Sequence, residues 1–367
     1  MKKNTLLTSL LMLLMLTILL FPELCIASAQ KGLLLWFNKV LPSLLPFMIF
    51  INILVPLDGL RKLTTLSTPF TQKVWHLSGY SFFAFMMGLI AGYPMGAKVV
   101  KQLYQEQKLT KEEAELTLCF SNNCGPLFII GTIGTTMLSS RQIGYFLFLI
   151  HLSSALLMSL LITKVNILPP PTVNHSSLPF SPYSFSTLLN KGVMNAMDTI
   201  VCVGGYIILF SVLTTLLTET PLVTFFYHSS MNQPIFAALV ASLFELSNGS
   251  YHLSHLPLSI YTLAGISSTV AFGGLCVYFQ TLYVLEDSQL STKPYFIAKI
   301  LQGFLSFGLT LLLYPIYVLY TEGTSTLFTT SHLLFGFSIL ALVIFLIIVF
   351  FHPYKRSIFS KNHRQFS

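Results

Sequence analysis

Charged residues are scarce in this chain. Twenty Lys and Arg and twelve Asp and Glu make up 9% of its 367 residues, whereas about 25% of a typical soluble domain is charged. So few charges exclude a soluble globular fold. The 54% of apolar residues and the mean hydropathy of +0.74 favour an all-α polytopic membrane protein, because each membrane-crossing helix needs about 20 predominantly apolar residues.

Cysteine is also sparse, and the familiar catalytic motifs are missing. The five cysteines form no C-x-x-C pair, so the sequence contains no disulfide or zinc framework. It also lacks the G-x-S-x-G, H-E-x-x-H and P-loop patterns, which carry hydrolytic and nucleotide-driven chemistry. We therefore predict that the protein is not an enzyme and has neither a metal site nor a cofactor, apart from a coupling proton or cation.

The basic residues lie singly in short loops and near the ends of the chain. Their excess gives a formal charge of +8, but there is no long arginine-rich run of the kind that binds nucleic acid. Lys and Arg in short loops instead orient a protein in the membrane, because they prefer the cytoplasmic side. The lipid bilayer is therefore a predicted partner and nucleic acid is not; a homo-oligomer is left open.

The N-terminus has two interpretations. Met1 to Lys3, the apolar run that follows and Ala27-Ser28-Ala29 resemble a secretory signal with its cleavage site. The uncharged stretch from Asn4 to Pro22 is long enough to span a bilayer, whereas the apolar core of a signal is shorter. We favour a retained first helix.

Apolar windows bounded by charge, proline or polar clusters mark the candidate membrane segments. They lie at about 5–22, 32–56, 80–97, 114–139, 142–163, 193–217, 234–250, 257–285, 296–319 and 330–351.

The positive-inside rule indicates how these segments cross the membrane. Both ends of the chain are basic, which predicts cytoplasmic termini and an even number of crossings. The basic stretch from Lys98 to Lys111 would lie outside if 80–97 crossed, so we predict a re-entrant element there. A second re-entrant element at 234–250 makes the total number of membrane crossings even. The prediction is a cell-membrane protein with about eight transmembrane helices and two re-entrant elements.

The segments repeat their order in two halves. Each half runs as helix, re-entrant element, interrupted helix and helix, with opposite orientations across the membrane, which is the inverted repeat of many secondary transporters. The predicted units are an N-terminal membrane helix at 1–31, a first repeat at 32–164, a linker at 165–187, a second repeat at 188–320, and a C-terminal membrane helix with a basic cytoplasmic tail at 321–367.

Four polar or glycine-rich interruptions provide the candidate binding residues. Gly and Pro break the backbone hydrogen-bond ladder, and backbone groups freed within a membrane must be satisfied by protein, water or ligand. An ionisable residue in an apolar segment, here Glu245, is by default a functional candidate. The predicted substrate-binding residues are Gly92, Tyr93, Pro94, Gly96, Ser121, Asn122, Asn123, Glu245, Ser247, Asn248, Gly249, Gly273, Gly274 and Gln280.

Each interruption also has a structural interpretation. Gly88, Gly92 and Gly96 are four residues apart, like the G-x-x-x-G pattern of close helix packing. Glu245 would be wetted if it lay at the end of a segment, and transmembrane helices tolerate glycines such as Gly273. These alternatives remain open from the sequence.

Four runs carry a family resemblance. In the runs at residues 41–47, 92–98, 120–129 and 245–249, the chain resembles the YlbJ family of sporulation integral membrane proteins, which contain a nucleoside-recognition or Gate domain. The resemblance covers about 32–317 and makes both repeats Gate-like. Cys124-Gly125 departs from the family pattern, which more often has a serine there, and a hydroxyl contact at that point loses its support.

The resemblance implies a bacterial inner-membrane protein linked to spore cortex formation. It also implies Gate helices similar to those of concentrative nucleoside transporters and of a ferrous-iron transporter, but no particular substrate. The leading hypothesis is a secondary transporter or translocator of a small polar solute or an envelope precursor, with Glu245 as the coupling group. The alternative is a scaffold that transports nothing and recruits cortex or envelope assembly machinery through 101–115 and the tail.

Overall fold

The computed structural model describes residues 2–55, 59–166, 184–220, 233–322 and 335–350. Most of the predicted linker and the whole basic tail lie outside these ranges. Within them every regular element is a helix, so the all-α prediction is confirmed.

The N-terminal region forms two helical rods. Helix α1 (Lys2–Leu20) precedes α2 (Pro22–Leu35), which continues through a π-helical turn at Trp36–Val40 into α3 (Leu41–Leu54). Together α2, the turn and α3 make one 33-residue helix, Pro22–Leu54. The sequence predicted the start of this segment ten residues too late, because Glu23 and Lys31 made the first turns look like a loop.

The remainder of the first half contains short helices separated by breaks, followed by one long helix. These are α4 (Gly59–Trp75), α5 (Gly79–Ala91), α6 (Met95–Gln105), α7 (Lys111–Ser121), a π-helix (Leu127–Met137) and α8 (Arg141–Val165).

The second half has the same succession of long, broken and long helices. Its members are α9 (Phe185–Glu219), α10 (Gln233–Phe244), α11 (Leu246–Ser254), α12 (Ile260–Phe272), α13 (Gly274–Val284) and α14 (Lys293–Glu322), and α15 (Phe335–Phe350) follows.

All four predicted interruptions are real breaks in helices. They separate α5 from α6, α7 from the π-helix, α10 from α11, and α12 from α13. Each half therefore contains two broken pairs in sequence, although α4 has no counterpart among the described residues of the second half. The inverted repeat stays a prediction.

The described residues contain five helices long and apolar enough to span a membrane, or six if one bent pair is counted as a single span. The five coincide with predicted crossings, and they are Pro22–Leu54, Arg141–Val165, Phe185–Glu219, Ile260–Val284 and Lys293–Val318. The other three predicted crossings correspond to apolar helices shorter than a full span, such as Thr5–Leu20 and Phe335–Phe350. The count of eight stays a prediction.

One predicted loop is wrong. The stretch with Arg61, Lys62 and Lys73 forms α4, and α4 meets α5 at an angle of 93°. The polar residues that suggested a loop alternate with apolar ones at helical spacing, so that Thr64, Thr71 and Trp75 are buried while Leu66 and Phe70 are exposed.

The two halves pack against each other rather than forming separate bodies. The long helix Pro22–Leu54 lies along α9, where the Trp36 indole donates to the Ile200 carbonyl at 2.9 Å. Helix α14 packs against α12 of its own half and against α7 and α8 of the other. The broken helices are therefore enclosed between long helices from both halves.

Candidate functional site

The two breaks of the first half touch each other. Helix α5 ends at Gly92, whose φ of +86° lies in a region that L-residues with a side chain rarely adopt. A Cβ atom on Gly92 would lie 3.0 Å from the backbone nitrogen of Gly125 in the second break. Only a glycine allows this turn and this close approach together.

Close glycine packing accompanies the first break. A Cβ atom on Gly88 or on Gly96 would overlap the carbonyl oxygen of Ser121 at the end of α7. The two interpretations of this glycine series are therefore both correct: Gly92 forms the break, and the flanking glycines allow α7 to approach.

The two breaks of the second half form a similar pair. Gly273 and Gly274 have φ values of +85° and +77°, so α12 ends and α13 begins in left-handed backbone. A Cβ atom on Gly274 would lie 3.1 Å from the Phe244 carbonyl and 3.2 Å from the Glu245 nitrogen. The breaks of this half also meet backbone to backbone.

Glu245 caps the N-terminus of α11. Its carboxylate accepts hydrogen bonds from the backbone nitrogens of Ser247 at 2.9 Å and Asn248 at 2.8 Å, and its side chain is 3% exposed. The unsatisfied N–H groups of a helix N-terminus stabilise a carboxylate. Glu245 therefore stands at a helix end, as the alternative expected, but it is buried rather than wetted.

Tyr93 connects the breaks of the two halves. Its hydroxyl donates to the Ala271 carbonyl at 3.0 Å, and the Val270 carbonyl is 3.2 Å away. Both carbonyls belong to the last turn of α12, whose own hydrogen bonds end at the break. Tyr93 therefore donates to backbone carbonyls at the end of α12, where the helical hydrogen-bond pattern of the second half is interrupted.

Asn122 is the centre of a buried polar network. Its amide nitrogen donates to the hydroxyls of Tyr295 at 2.9 Å and Thr281 at 3.0 Å. The Lys299 ammonium donates to the Asn122 carbonyl at 3.0 Å and to the Gln302 amide oxygen at 2.6 Å. The network ties the second break of the first half to α13 and α14.

A cleft lies beside the four breaks. It lies between α3, α5, α9 and α13 and is partly open to solvent, and apolar side chains such as Leu44, Phe128 and Val277 form most of its wall. Its polar side chains include Ser43, Tyr93, Glu245, Ser247 and Gln280. Among the described residues that line the cleft, Glu245 is the charged one.

The structure places the predicted residues in two groups. Five of them line the cleft: Gly92, Tyr93, Glu245, Ser247 and Gln280. The others lie outside its lining: Pro94, Gly96, Ser121, Asn122, Asn123, Asn248, Gly249, Gly273 and Gly274.

The second group lies outside the lining of this cleft, so its direct contact with a solute stays a prediction. Asn122 and Asn123 bond within the network, Asn248 donates to the Ser211 hydroxyl at 3.1 Å, and a Cβ atom on Gly249 would overlap the backbone of Ser242. These residues build and support the breaks. A broken helix needs many polar groups to satisfy its own backbone, and the sequence does not separate those from groups that face a cavity.

The sequence analysis missed the residues that complete the network. They are His151, Thr281, Tyr295, Lys299 and Gln302. Lys299 is 1% exposed and lies inside a predicted apolar segment, so the rule that selected Glu245 would also have selected it. The same rule would also have selected His151, whose Nε2 accepts a hydrogen bond from the Cys124 nitrogen at 3.1 Å.

Two comparisons with known proteins found similarity to this chain. The Gate family, described as nucleoside recognition, matches residues 37–139, which include both breaks of the first half. The sporulation integral membrane protein YlbJ of Bacillus subtilis (strain 168) is 29% identical over 348 residues, covering 86% of this chain and 84% of the relative. The resemblance to the YlbJ family is confirmed. No solved structure matches the chain.

The similarity to YlbJ and the apolar helices together indicate that this chain is a multi-pass integral membrane protein. The similarity extends beyond the Gate region into the second half, since it covers most of both chains. The Gate match ends at residue 139, so Glu245 and the break beside it lie outside that match.

Proposed function

We propose that the protein is a secondary transporter of a small polar solute, which binds in the cleft beside the four breaks. The observation that carries the proposal is the convergence of breaks from both halves on one cleft that contains a buried carboxylate. Broken helices in membrane carriers present backbone groups and helix ends to solutes and ions. The similarity to the sporulation integral membrane protein YlbJ supports a role in sporulation, and the link to the spore cortex stays a prediction from the family resemblance.

Glu245 is the proposed coupling group. Its carboxylate lies at the cleft, and a change in its protonation would alter both the cap of α11 and the charge that a solute meets. Tyr93, Ser247 and Gln280 offer hydrogen bonds around it, while the apolar wall accommodates the rest of the solute. Binding and the geometry of the break would then change together.

The test is counterflow in proteoliposomes. Purified full-length protein is reconstituted into vesicles preloaded with unlabelled uridine or N-acetylglucosamine, and uptake of the labelled compound is measured with and without an imposed proton gradient. We expect the gradient to drive accumulation by the unaltered protein. Glu245→Gln should abolish the extra accumulation that the proton gradient drives and leave uptake at the level measured without a gradient, because the amide keeps the shape but does not titrate.

Glu219→Gln is the matched control, since Glu219 is an exposed carboxylate at the end of α9 and should leave uptake unchanged. Retained accumulation with unaltered ion dependence in Glu245→Gln would remove Glu245 from the mechanism. The scaffold alternative predicts instead that truncation of 354–367 causes the sporulation defect, while the polar residues of the cleft can be replaced freely.

A further inference from the structure

Lys299 is buried, and the groups that contact its ammonium in the part of the chain that the structure describes are uncharged. Its ammonium contacts the Asn122 carbonyl at 3.0 Å, the Gln302 amide oxygen at 2.6 Å and the face of the Tyr93 ring, whose centroid is 5.0 Å away. Burying an ammonium is costly unless dipoles or counter-charges replace its water. Here the replacement consists of a carbonyl, an amide and an aromatic ring.

The position of these groups is what makes them a cation site. Helix α7 ends at Ser121, so the Asn122 carbonyl lies at the negative end of the helix dipole. In carriers with broken helices, such carbonyls and helix C-terminal ends coordinate the coupling cation. An ammonium and an alkali metal ion are both bound by oxygen acceptors and both are attracted to an aromatic face.

We propose that the ammonium of Lys299 is a resident cation, occupying a monovalent-cation site formed by the Asn122 carbonyl, the Gln302 amide oxygen and the Tyr93 ring. The lysine reaches this site from α14 and holds both breaks of the first half. The transport cycle would then recruit no metal ion at this break. That last consequence depends on the proposed transport function, whereas the cation site does not.

The first test removes the lysine and supplies a free cation. Lys299→Ala leaves the three ligands and opens space at the site, while Lys299→Met fills the space with an apolar chain of similar length. Thermal unfolding of the full-length protein in detergent is followed in methylammonium, sodium or N-methylglucamine chloride at equal ionic strength. The bulky N-methylglucamine ion serves as the reference.

We expect methylammonium or sodium to raise the unfolding midpoint of Lys299→Ala saturably by roughly 3 °C or more relative to N-methylglucamine, because a ligand that binds the folded state stabilises it. The unaltered protein and Lys299→Met should not respond. Indifference of Lys299→Ala to every cation, or an equal response of all three proteins, would overturn the proposal.

A second pair of variants keeps Lys299 in place, so the test survives if Lys299→Ala does not fold. Gln302 also donates to the Asn123 amide oxygen at 3.2 Å, and both Gln302→Glu and Gln302→Leu remove that bond. A resident ammonium predicts a higher unfolding midpoint for Gln302→Glu than for Gln302→Leu, since only the carboxylate provides a counter-charge. Equal midpoints, or a lower one for Gln302→Glu, would contradict it.

The outcomes separate the two proposals. A cation response in Lys299→Ala together with failed counterflow in the unaltered protein would retain the cation site and reject the transporter. Successful counterflow without any cation response would do the reverse.

Discussion

Single atoms decide how closely the helices approach at the site. At Gly88 and Gly96 the missing Cβ leaves room for one carbonyl oxygen, that of Ser121. At Gly92 the missing Cβ also permits a left-handed turn. These glycines serve different purposes, although they are evenly spaced in the sequence.

The first residue-scale prediction concerns Gly96. We expect Gly96→Ala to lower the free energy of unfolding by about 1–3 kcal/mol, because the new methyl group must displace backbone at Ser121 and Asn122 rather than a flexible side chain. The measurement is the temperature at which the monodisperse peak is lost in size-exclusion chromatography of the detergent-solubilised protein.

Gly205→Ala is its matched control. Gly205 lies in α9, and a Cβ atom there would have no neighbour within 4 Å. Alanine favours a helix over glycine by up to about 1 kcal/mol, so this change should be neutral or slightly stabilising. Similar losses at the two positions would show that close packing at Gly96 is not the cause.

Between elements, buried carboxylates tie helix ends together. Glu113 of α7 accepts from the Ser78 nitrogen at 2.6 Å and the Ser81 hydroxyl at 2.9 Å; Ser78 precedes α5 and Ser81 is in its first turn. Glu115 accepts from the Ser291 nitrogen at 2.8 Å, just before α14. The same stretch that the sequence presents as a charged loop therefore fastens two helices.

The element-scale prediction is that Glu113→Ala destabilises the fold by about 1–3 kcal/mol, because it leaves a buried N–H and a hydroxyl without their acceptor. The readout is the same chromatographic midpoint. Glu112→Ala, at a less buried position of the same helix, should have little effect; a loss as large as that of Glu113→Ala would argue against the cap.

This role also limits how the scaffold hypothesis can be tested. Changes across 101–115 would disturb α6 and α7 and would cause a defect under either hypothesis. Exposed positions of this stretch, such as Gln105 and Gln107, are therefore the suitable ones for a search for partner contacts.

At the scale of the whole molecule, the orientation of the halves is the main prediction still to be tested. Gln107 is exposed in the turn after α6. We expect a cysteine at Gln107, in a background without the five native cysteines, to be protected from an impermeant thiol reagent on intact cells. Protection follows from a re-entrant first element, which keeps the basic stretch inside.

Two further cysteines calibrate the reagent. Ser229→Cys lies in a stretch of the second half, between α9 and α10, that has no Lys or Arg and should be labelled, and Ser357→Cys in the basic tail should be protected. Labelling at Gln107 equal to that at Ser229 would mean that 80–97 crosses the membrane, and the inverted repeat would be rejected.

Local chemistry was enough to predict much of this fold. Apolar runs predict helices because a membrane leaves the backbone no other way to satisfy its polar groups within one segment. Three of the four breaks were also predictable in place, since Gly92, Pro94, Asn122 and Gly273 oppose a continuous helix through their own backbone properties. The break at Glu245 has no such residue, and Gly249 lies within α11 instead. Glu245 stood out because a charge is rare in an apolar segment.

Only the tertiary structure decided which polar groups face the cleft. Asn122 and Gln280 are both polar residues at interrupted helices, yet one turns toward Tyr295 and Thr281 while the other lines the cleft. Their direction depends on which helices pack beside the break, and that packing joins residues more than 150 positions apart, as between Asn122 and Thr281. The sequence by itself determined a helical membrane protein with four breaks; long-range packing determined how those breaks meet and where Lys299 places its charge.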